Sequence, residues 1–136
     1  MTLEKQIIVN LIKASQFFTD ELANILKIHD LSNEQFNVLR ILRGQNKPTN
    51  MGTIQERMVA KTSNTTRLVD KLLLKNLVER KTCEKNRRKI EVEITAKGLQ
   101  LLKKTDPLII KHDLDVLQNL TQQEKETLLN LILKIN

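Results

Sequence analysis

The stretch SNTTRLVDKLLLKNLVERKTCEKNRRKIEVEITAKG, residues 63–98, changes its apolar period twice, and those changes decide the fold. In its first part Thr65, Leu68, Val69 and Leu72 recur at helical spacing, while Ser63, Asn64, Thr66, Arg67 and Lys71 fall on the other face. The spacing predicts a helix over 62–75, capped by Thr62 or Ser63. After Lys75 the period shortens to two: LVERKTC (77–83) and KIEVEIT (89–95) alternate on either side of EKNRR (84–88). This predicts a two-stranded hairpin with a basic tip. Thr95 then caps a further helix through Leu99 and Leu102, with a kink or break expected near Thr105–Asp106 because Pro107 lacks an amide donor.

Upstream of this stretch, Pro48 in the linker QNKPTN (45–50) biases Lys47 away from helix, and Asn50 caps a short helix through Ile54 and Met58. A short helix, a tight turn and a second helix with a polar, basic outer face form a helix-turn-helix pattern. Before it, HDLSNEQFNVLRILRG (29–44) offers Ser32 and Gln35 as a capping box and Gly44 as a stop, which predicts a helix over about 33–43. From Leu3 to about Ile28 there is neither Gly nor Pro, and Ile7, Leu11, Ala14, Phe18, Leu22 and Ile25 mark a long first helix. Ile8, Ile12 and Phe17 widen its apolar face beyond what one neighbour needs. At the other end Thr121 and Glu124 form a second capping box, followed by Leu128, Leu129, Leu131, Ile132, Leu133 and Ile135. Apolar residues surround most of that helix, so it must be covered on more than one side.

Charge is as unevenly placed as the apolar residues. The 136-residue chain carries 23 Lys and Arg against 16 Asp and Glu, a net charge of +7. Residues 61–90 hold ten of the basic side chains and three of the acidic ones, so that segment carries the whole net charge and the rest is neutral. A charge run is usually a solvated face; here it coincides with the helix and hairpin whose geometry fits nucleic acid. Ser63, Asn64, Thr66 and Arg67 are the candidates for base or nearby phosphate contacts, and Lys71 and Lys75 for phosphate neutralisation. Ser63 could instead simply cap the helix, and Arg67 could pair with Asp70. At the hairpin tip Lys85, Arg87, Arg88 and Lys89 would straddle the backbone or enter a minor groove.

Several classes are excluded. Three Gly, two Pro and 40% hydrophobic residues suit a mainly helical globular protein rather than a disordered or many-stranded one. No apolar run approaches the ~18 residues a membrane helix needs, and Glu4, Lys5, Asn10 and Lys13 interrupt the region where a signal peptide would be apolar, so a cytoplasmic location is expected. One cysteine, Cys83, and two histidines provide neither an internal disulfide nor a zinc ligand set, and His29 and His112 are assigned no role. Neither a phosphate-binding Gly-rich loop nor a nucleophile and base frame is legible, so no enzyme activity, cofactor or metal is expected. With three Phe, no Tyr and no Trp, stacking on single strands is disfavoured and duplex DNA favoured.

These segments, in this order, resemble the MarR (multiple antibiotic resistance regulator) family of transcription factors. SNTTRLVDKLLLKNLVER (63–80) is similar to the family's recognition helix and its run into the wing, NRRKIEVEIT and AKG (86–98) resemble the wing and the start of the next helix, and LSNEQFNVLRIL (31–42) the helix before the reading head. Arg88 matches the family's wing arginine. Two residues depart from the pattern: Asn86 replaces the usual Asp, removing an ion pair to Arg88, and Asn76 replaces a Gly where a left-handed helix stop is needed. Some relatives sense oxidants through a cysteine in the first helix, which this chain lacks; Cys83 reads as a half-buried strand residue.

The expected fold is mainly α, a winged helix-turn-helix in the order α1-α2-α3-α4-β-wing-β-α5-α6 within one domain over 1–136. Residues 31–98 would form the DNA-binding lobe, and 1–30 with 99–136 a helical lobe through which two chains dimerise. The homodimer would set two recognition helices about one DNA turn apart on a pseudo-palindromic operator. The resemblance implies a transcriptional repressor with a pocket for a small, often aromatic, effector. The competing class is a winged-helix interaction module that turns its basic face to an acidic protein or a membrane surface.

Overall fold

The computed structural model describes every residue except Thr62 and Glu84, and the backbone alone of Arg87. The chain falls into two compact units, Met1–Thr105 and Asp106–Asn136. The elements are α1 (Leu3–Lys27), α2 (Asn33–Gln45), β1 (Thr49–Asn50), α3 (Met51–Arg57), α4 (Thr65–Leu74), β2 (Val78–Cys83), β3 (Asn86–Ile94), α5 (Ala96–Val116) and α6 (Gln122–Ile135). Among the described residues, six helices and a small antiparallel sheet in this order make a winged helix-turn-helix.

Local chemistry explains most boundaries. Ser32 accepts the Gln35 amide at 3.1 Å and Gln35 returns the contact to the Ser32 amide, so the capping box starts α2. That helix runs past Gly44 and stops at Asn46, a left-handed residue (φ 53°) whose N–H closes the last turn on the Leu42 carbonyl at 3.1 Å. Gly44, expected as the stop, stays helical. Asn50 caps α3 by accepting the Thr53 amide at 2.8 Å. Asn76 adopts φ 60°, the left-handed stop that its position after α4 requires. Thr121 and Glu124 form the reciprocal box at the start of α6, and the Thr121 backbone N–H, with its hydroxyl, holds the Glu124 carboxyl below the usual carboxylate value.

In the first unit the core gathers one buried face from each element: Leu26 of α1, Phe36, Val38, Leu39 and Leu42 of α2, Ile54 of α3, Val69 and Leu72 of α4, Val78 and Val92 of the sheet, and Leu102 of α5. The sheet order is β1-β3-β2, with Val78 opposite Ile94 and Arg80 opposite Val92. The short β1, absent from the expected order, pairs Thr49 with Val92 and anchors the chain just before α3. The hairpin tip is narrower than expected: β3 begins at Asn86, Cys83 faces it across an irregularity, and Lys85 remains in the turn while Glu84 lies outside the described residues. Alternation brings Val78 and Val92 inward but leaves Ile90 half-exposed, because the outer part of the hairpin projects beyond the core.

The helix α5 crosses Pro107 without the expected break, remaining helical from Ala96 to Val116. Proline costs a helix about 3 kcal/mol through one lost donor and a steric clash, but in this helix of 21 residues the ladder continues on both sides. The Thr105 hydroxyl donates to the Leu102 carbonyl at 3.0 Å one turn earlier, within the helix's own groove. The second unit holds the end of α5 and all of α6, in which no residue is buried.

Candidate nucleic-acid interface

Side chains of α2 and α3 fix the angle of the helix-turn-helix. Asn37 of α2 accepts the Val59 amide at 2.9 Å, which pins the turn that follows α3. From α3, Gln55 donates to the Lys61 carbonyl at 2.8 Å and accepts from the Thr65 hydroxyl at the start of α4. Thr65, Val69 and Leu72 are buried and hold one face of α4 on the core, so Thr66, Arg67, Asp70 and Lys71 face outward.

The structure shifts the start of this helix. Its cap is Asn64, whose side-chain oxygen accepts the Arg67 amide at 3.2 Å, rather than Ser63; Thr62 lies outside the described residues. Asn64 has the extended backbone that a cap needs (φ −80°, ψ 93°), from which its side chain reaches the amide three residues on. Its oxygen is therefore already engaged, leaving its NH₂ as the available group. Ser63 is half-buried in the turn before the helix.

Arg67 and Lys71 of α4 and Lys85, Arg88 and Lys89 of the wing are all exposed, so α4 and the wing present a predominantly basic surface in which the exposed acidic residues Asp70 and Glu79 are paired with Arg80 and Lys81. The side chain of Arg87 lies outside the described residues. Asn86 accepts the Arg88 backbone N–H at 3.1 Å, a turn contact that shapes the strand start where the family's usual ion pair is unavailable. Lys75 does not join this set. Its ammonium meets the Gln35 side chain at 3.0 Å and the Asp30 backbone and carboxylate, whereas Lys71 is exposed. Asp70, considered as a partner for Arg67, binds Arg80 of β2 instead at 3.1 Å and ties the wing to α4. Lys81 pairs with Glu79 on its own strand at 3.2 Å. The roles of Gln55, Asn37 and the Asp70–Arg80 pair escape helical and strand period because each contact reaches beyond a single element, from six residues for Gln55–Lys61 to twenty-two for Asn37–Val59.

A cleft of about 480 Å³ opens beside the reading head, between Leu22 and Ala23 of α1, Phe36 and Arg40 of α2, and Met58 and Val59 after α3. The Arg40 guanidinium stands 5.7 Å from the Phe36 ring centroid, a cation–π contact at its wall. Among the described residues no helix is long and apolar enough to cross a membrane, and no cluster of three or more His, Cys, Asp or Glu side chains could hold a metal ion.

A family model described as MarR family matches residues 31–90, from the start of α2 into the wing. Over those 60 of the 136 residues the chain is similar to the MarR family. Solved structures extend the likeness over both ends. The transcriptional regulator BldR from Sulfolobus solfataricus is 29% identical, with all of both chains covered and a TM-score of 0.80. S. aureus MepR in its DNA complex is 18% identical over 98% of this chain and 96% of its own, with a TM-score of 0.82. The organohalide-sensing regulator RdhR-CbdbA1625 in its 2,4-dichlorophenol-bound form is 17% identical over 99% of this chain and 80% of its own, with a TM-score of 0.89. At the identities of the last two, the likeness establishes the winged helix-turn-helix fold. The family's members are regulators of transcription rather than enzymes.

Proposed function

We propose that this chain is a member of the MarR family and acts as a homodimeric, sequence-specific regulator of transcription that binds duplex DNA and represses until a small effector arrives. The observation that carries this reading is the exposed basic set on α4 and the wing, on a helix whose opposite face is locked to the core. A helix of this width enters a major groove. Ser63, Thr66 and Arg67 would meet base edges or nearby phosphates, with the Asn64 NH₂ group beside them, and Lys71 would neutralise phosphate. Lys85, Arg87, Arg88 and Lys89 would follow the wing to the flanking backbone or minor groove. MepR, a protein of the same fold, has been solved in complex with DNA.

The dimer is supported by apolar side chains left uncovered at both ends. Ile7, Ile8, Leu11, Ile12, Phe17 and Phe18 of α1 are exposed, as are Leu128, Leu129, Leu131, Leu133 and Ile135 of α6. Such faces on two helices mark an interface rather than a solvated surface, and a closed pair places two heads on one duplex. Residues 31–98 would then be the reading lobe and 1–30 with 99–136 the dimerisation lobe. The cleft beside Phe36 and Arg40 is the place for an apolar effector with a polar edge, and the dichlorophenol-bound relative supplies the chemical precedent. The protein would work in the cytoplasm, where its duplex target lies, and carry out no catalytic step of its own.

Nuclease protection on the DNA immediately upstream of the chain's own gene tests this reading. Two protected half-sites about 10 bp apart, centre to centre, are expected. Uniform, weak protection along the whole fragment would contradict specific reading.

A further inference from the structure

Lys75 is a basic residue of the charged segment that the interface does not absorb. It lies three residues after Leu72, which is fully buried, and so on the inward face of α4. Its ammonium donates to the Asp30 carbonyl and, at 3.0 Å, to the Gln35 side-chain oxygen, with the Asp30 carboxylate 3.5 Å away. Three acceptors match the three donors of an ammonium, which leaves none for a phosphate. Gln35 is 6% exposed, and the same oxygen accepts the Ser32 amide at 3.4 Å, so the capping box of α2 has already fixed the acceptor that Lys75 meets. The other end of the residue is held as well: Lys97, in the first turn of α5, donates to the Lys75 carbonyl at 3.0 Å. Residue 75 is thus the joint of three elements, the α1–α2 corner, the end of α4 and the start of α5.

We propose that Lys75 is a positioning residue for DNA reading, which sets the orientation of α4 through Asp30 and Gln35 and makes no phosphate contact. The proposal rests on the DNA-binding reading above. Gln55 and Thr65 hold the first turn of α4, and Lys75 holds its end; together they fix the tilt with which Arg67 and Thr66 are presented. Base contacts require placement within about 0.5 Å, so loss of one anchor degrades specific binding. Non-specific binding, which depends on total phosphate neutralisation, is insensitive to that tilt.

The test compares Lys75→Met, Lys75→Arg, Gln35→Met and Lys71→Met with the wild-type protein. Each is titrated at several salt concentrations against the duplex upstream of the chain's own gene and against a scrambled duplex. Lys75→Met is expected to weaken specific binding about fivefold, the loss of one buried contact, while leaving the scrambled duplex and the salt slope unchanged. Gln35→Met, which leaves every charge in place, lowers the specific-to-scrambled ratio in the same direction, and Lys75→Arg restores binding to within about twofold. Lys71→Met behaves as a phosphate contact, with both duplexes weakened and the slope shallower by about 0.9.

If Lys75→Met gives the Lys71→Met pattern while Gln35→Met binds as wild type, the proposal is overturned. Wild-type affinity in both Lys75→Met and Gln35→Met overturns it equally. A readout without DNA separates this failure from failure of the DNA-binding reading. The amides of Asn76 and Leu77, which close the end of α4 on Leu73 and Leu72, should exchange faster in Lys75→Met than in Lys71→Met. Equal exchange in the two variants removes the anchor whatever the wild-type protein does with DNA.

Discussion

The same substitution at two glycines should move stability in opposite directions. A Cβ built on Gly98 stands 2.4 Å from the Leu77 carbonyl oxygen and 2.7 Å from Ile94 Cγ1. The Leu77 oxygen cannot easily retreat, because it accepts the Thr95 amide at 3.0 Å. Thr95 in turn accepts the Gly98 amide at 3.1 Å and donates to the Asn76 carbonyl at 2.8 Å. Restoring ordinary contact would require the start of α5 to move by about 1 Å, straining those bonds, and overpacking of this kind costs about 1–3 kcal/mol. Strain on one hydrogen bond adds about 1 kcal/mol, and the better helix propensity of Ala returns about 1 kcal/mol. The net loss is about 2 kcal/mol. With unfolding entropy near 2.1 cal/mol/K per residue over 136 residues, that is a fall of about 7 °C in Tm.

Gly44 is the internal comparison. It is exposed near the end of α2, and a Cβ there meets nothing within 4 Å. Gly44→Ala should therefore gain about 0.5–1 kcal/mol, or some 2–3 °C. Calorimetric melts of both variants at one fixed protein concentration, needed because a dimer's Tm depends on it, provide the assay. A Gly98→Ala protein that melts with or above the wild type would refute the close-packing argument.

Other perturbations test other parts of the molecule. The Glu124 carboxyl is held below its ordinary value of 4.5 by the Thr121 backbone and hydroxyl. Its contribution to the α6 cap is therefore complete above that value and lost as the pH falls through the lower folded one; an NMR titration midpoint at or above 4.5 would contradict the cap. Arg88→Ala should reduce DNA affinity and make the salt slope shallower by about 0.9, whereas Lys134→Ala at the end of α6 should do neither. Equal affinities would remove the wing from the interface. Leu131, 53% exposed, should be covered twice in a symmetric dimer. Placing Lys there forfeits about 1.5–3 kcal/mol per copy, so Leu131→Lys should sediment as single chains at concentrations where the wild type is dimeric; a wild type that is itself a single chain at micromolar concentration would refute the dimer.

What the sequence made legible was what is local. Both capping boxes, the Asn50 cap and the left-handed Asn76 depend on residues within a turn of each other, and the one-face apolar period of α4 placed its outward side chains correctly. Two residues near the end of α2 could each have stopped it, Gly44 and Asn46; only the closing bond from Asn46 to Leu42 distinguishes them, and that is a property of the folded turn. The strand β1 is two residues long and takes its identity from a partner, Val92, far along the chain. Propensity at Pro107 yielded to the helix around it. Lys75 lies three residues beyond the buried Leu72, but its partners Asp30 and Gln35 are 40 or more residues away, beyond the reach of helical period. The exposed leucines at both ends are visible in the sequence as an excess of apolar residues, and the structure leaves them uncovered.

The paired-head account is tested most directly by fluorescence titration of the wild-type protein against promoter DNA and a scrambled duplex of equal length across a salt series. Specific reading predicts a complex with promoter DNA that survives competitor and is at least ~10³-fold tighter than the scrambled complex, with a steep salt slope for both. Equal affinity for the two duplexes at every salt concentration would contradict it and leave a basic winged helix that binds polyanions without reading them.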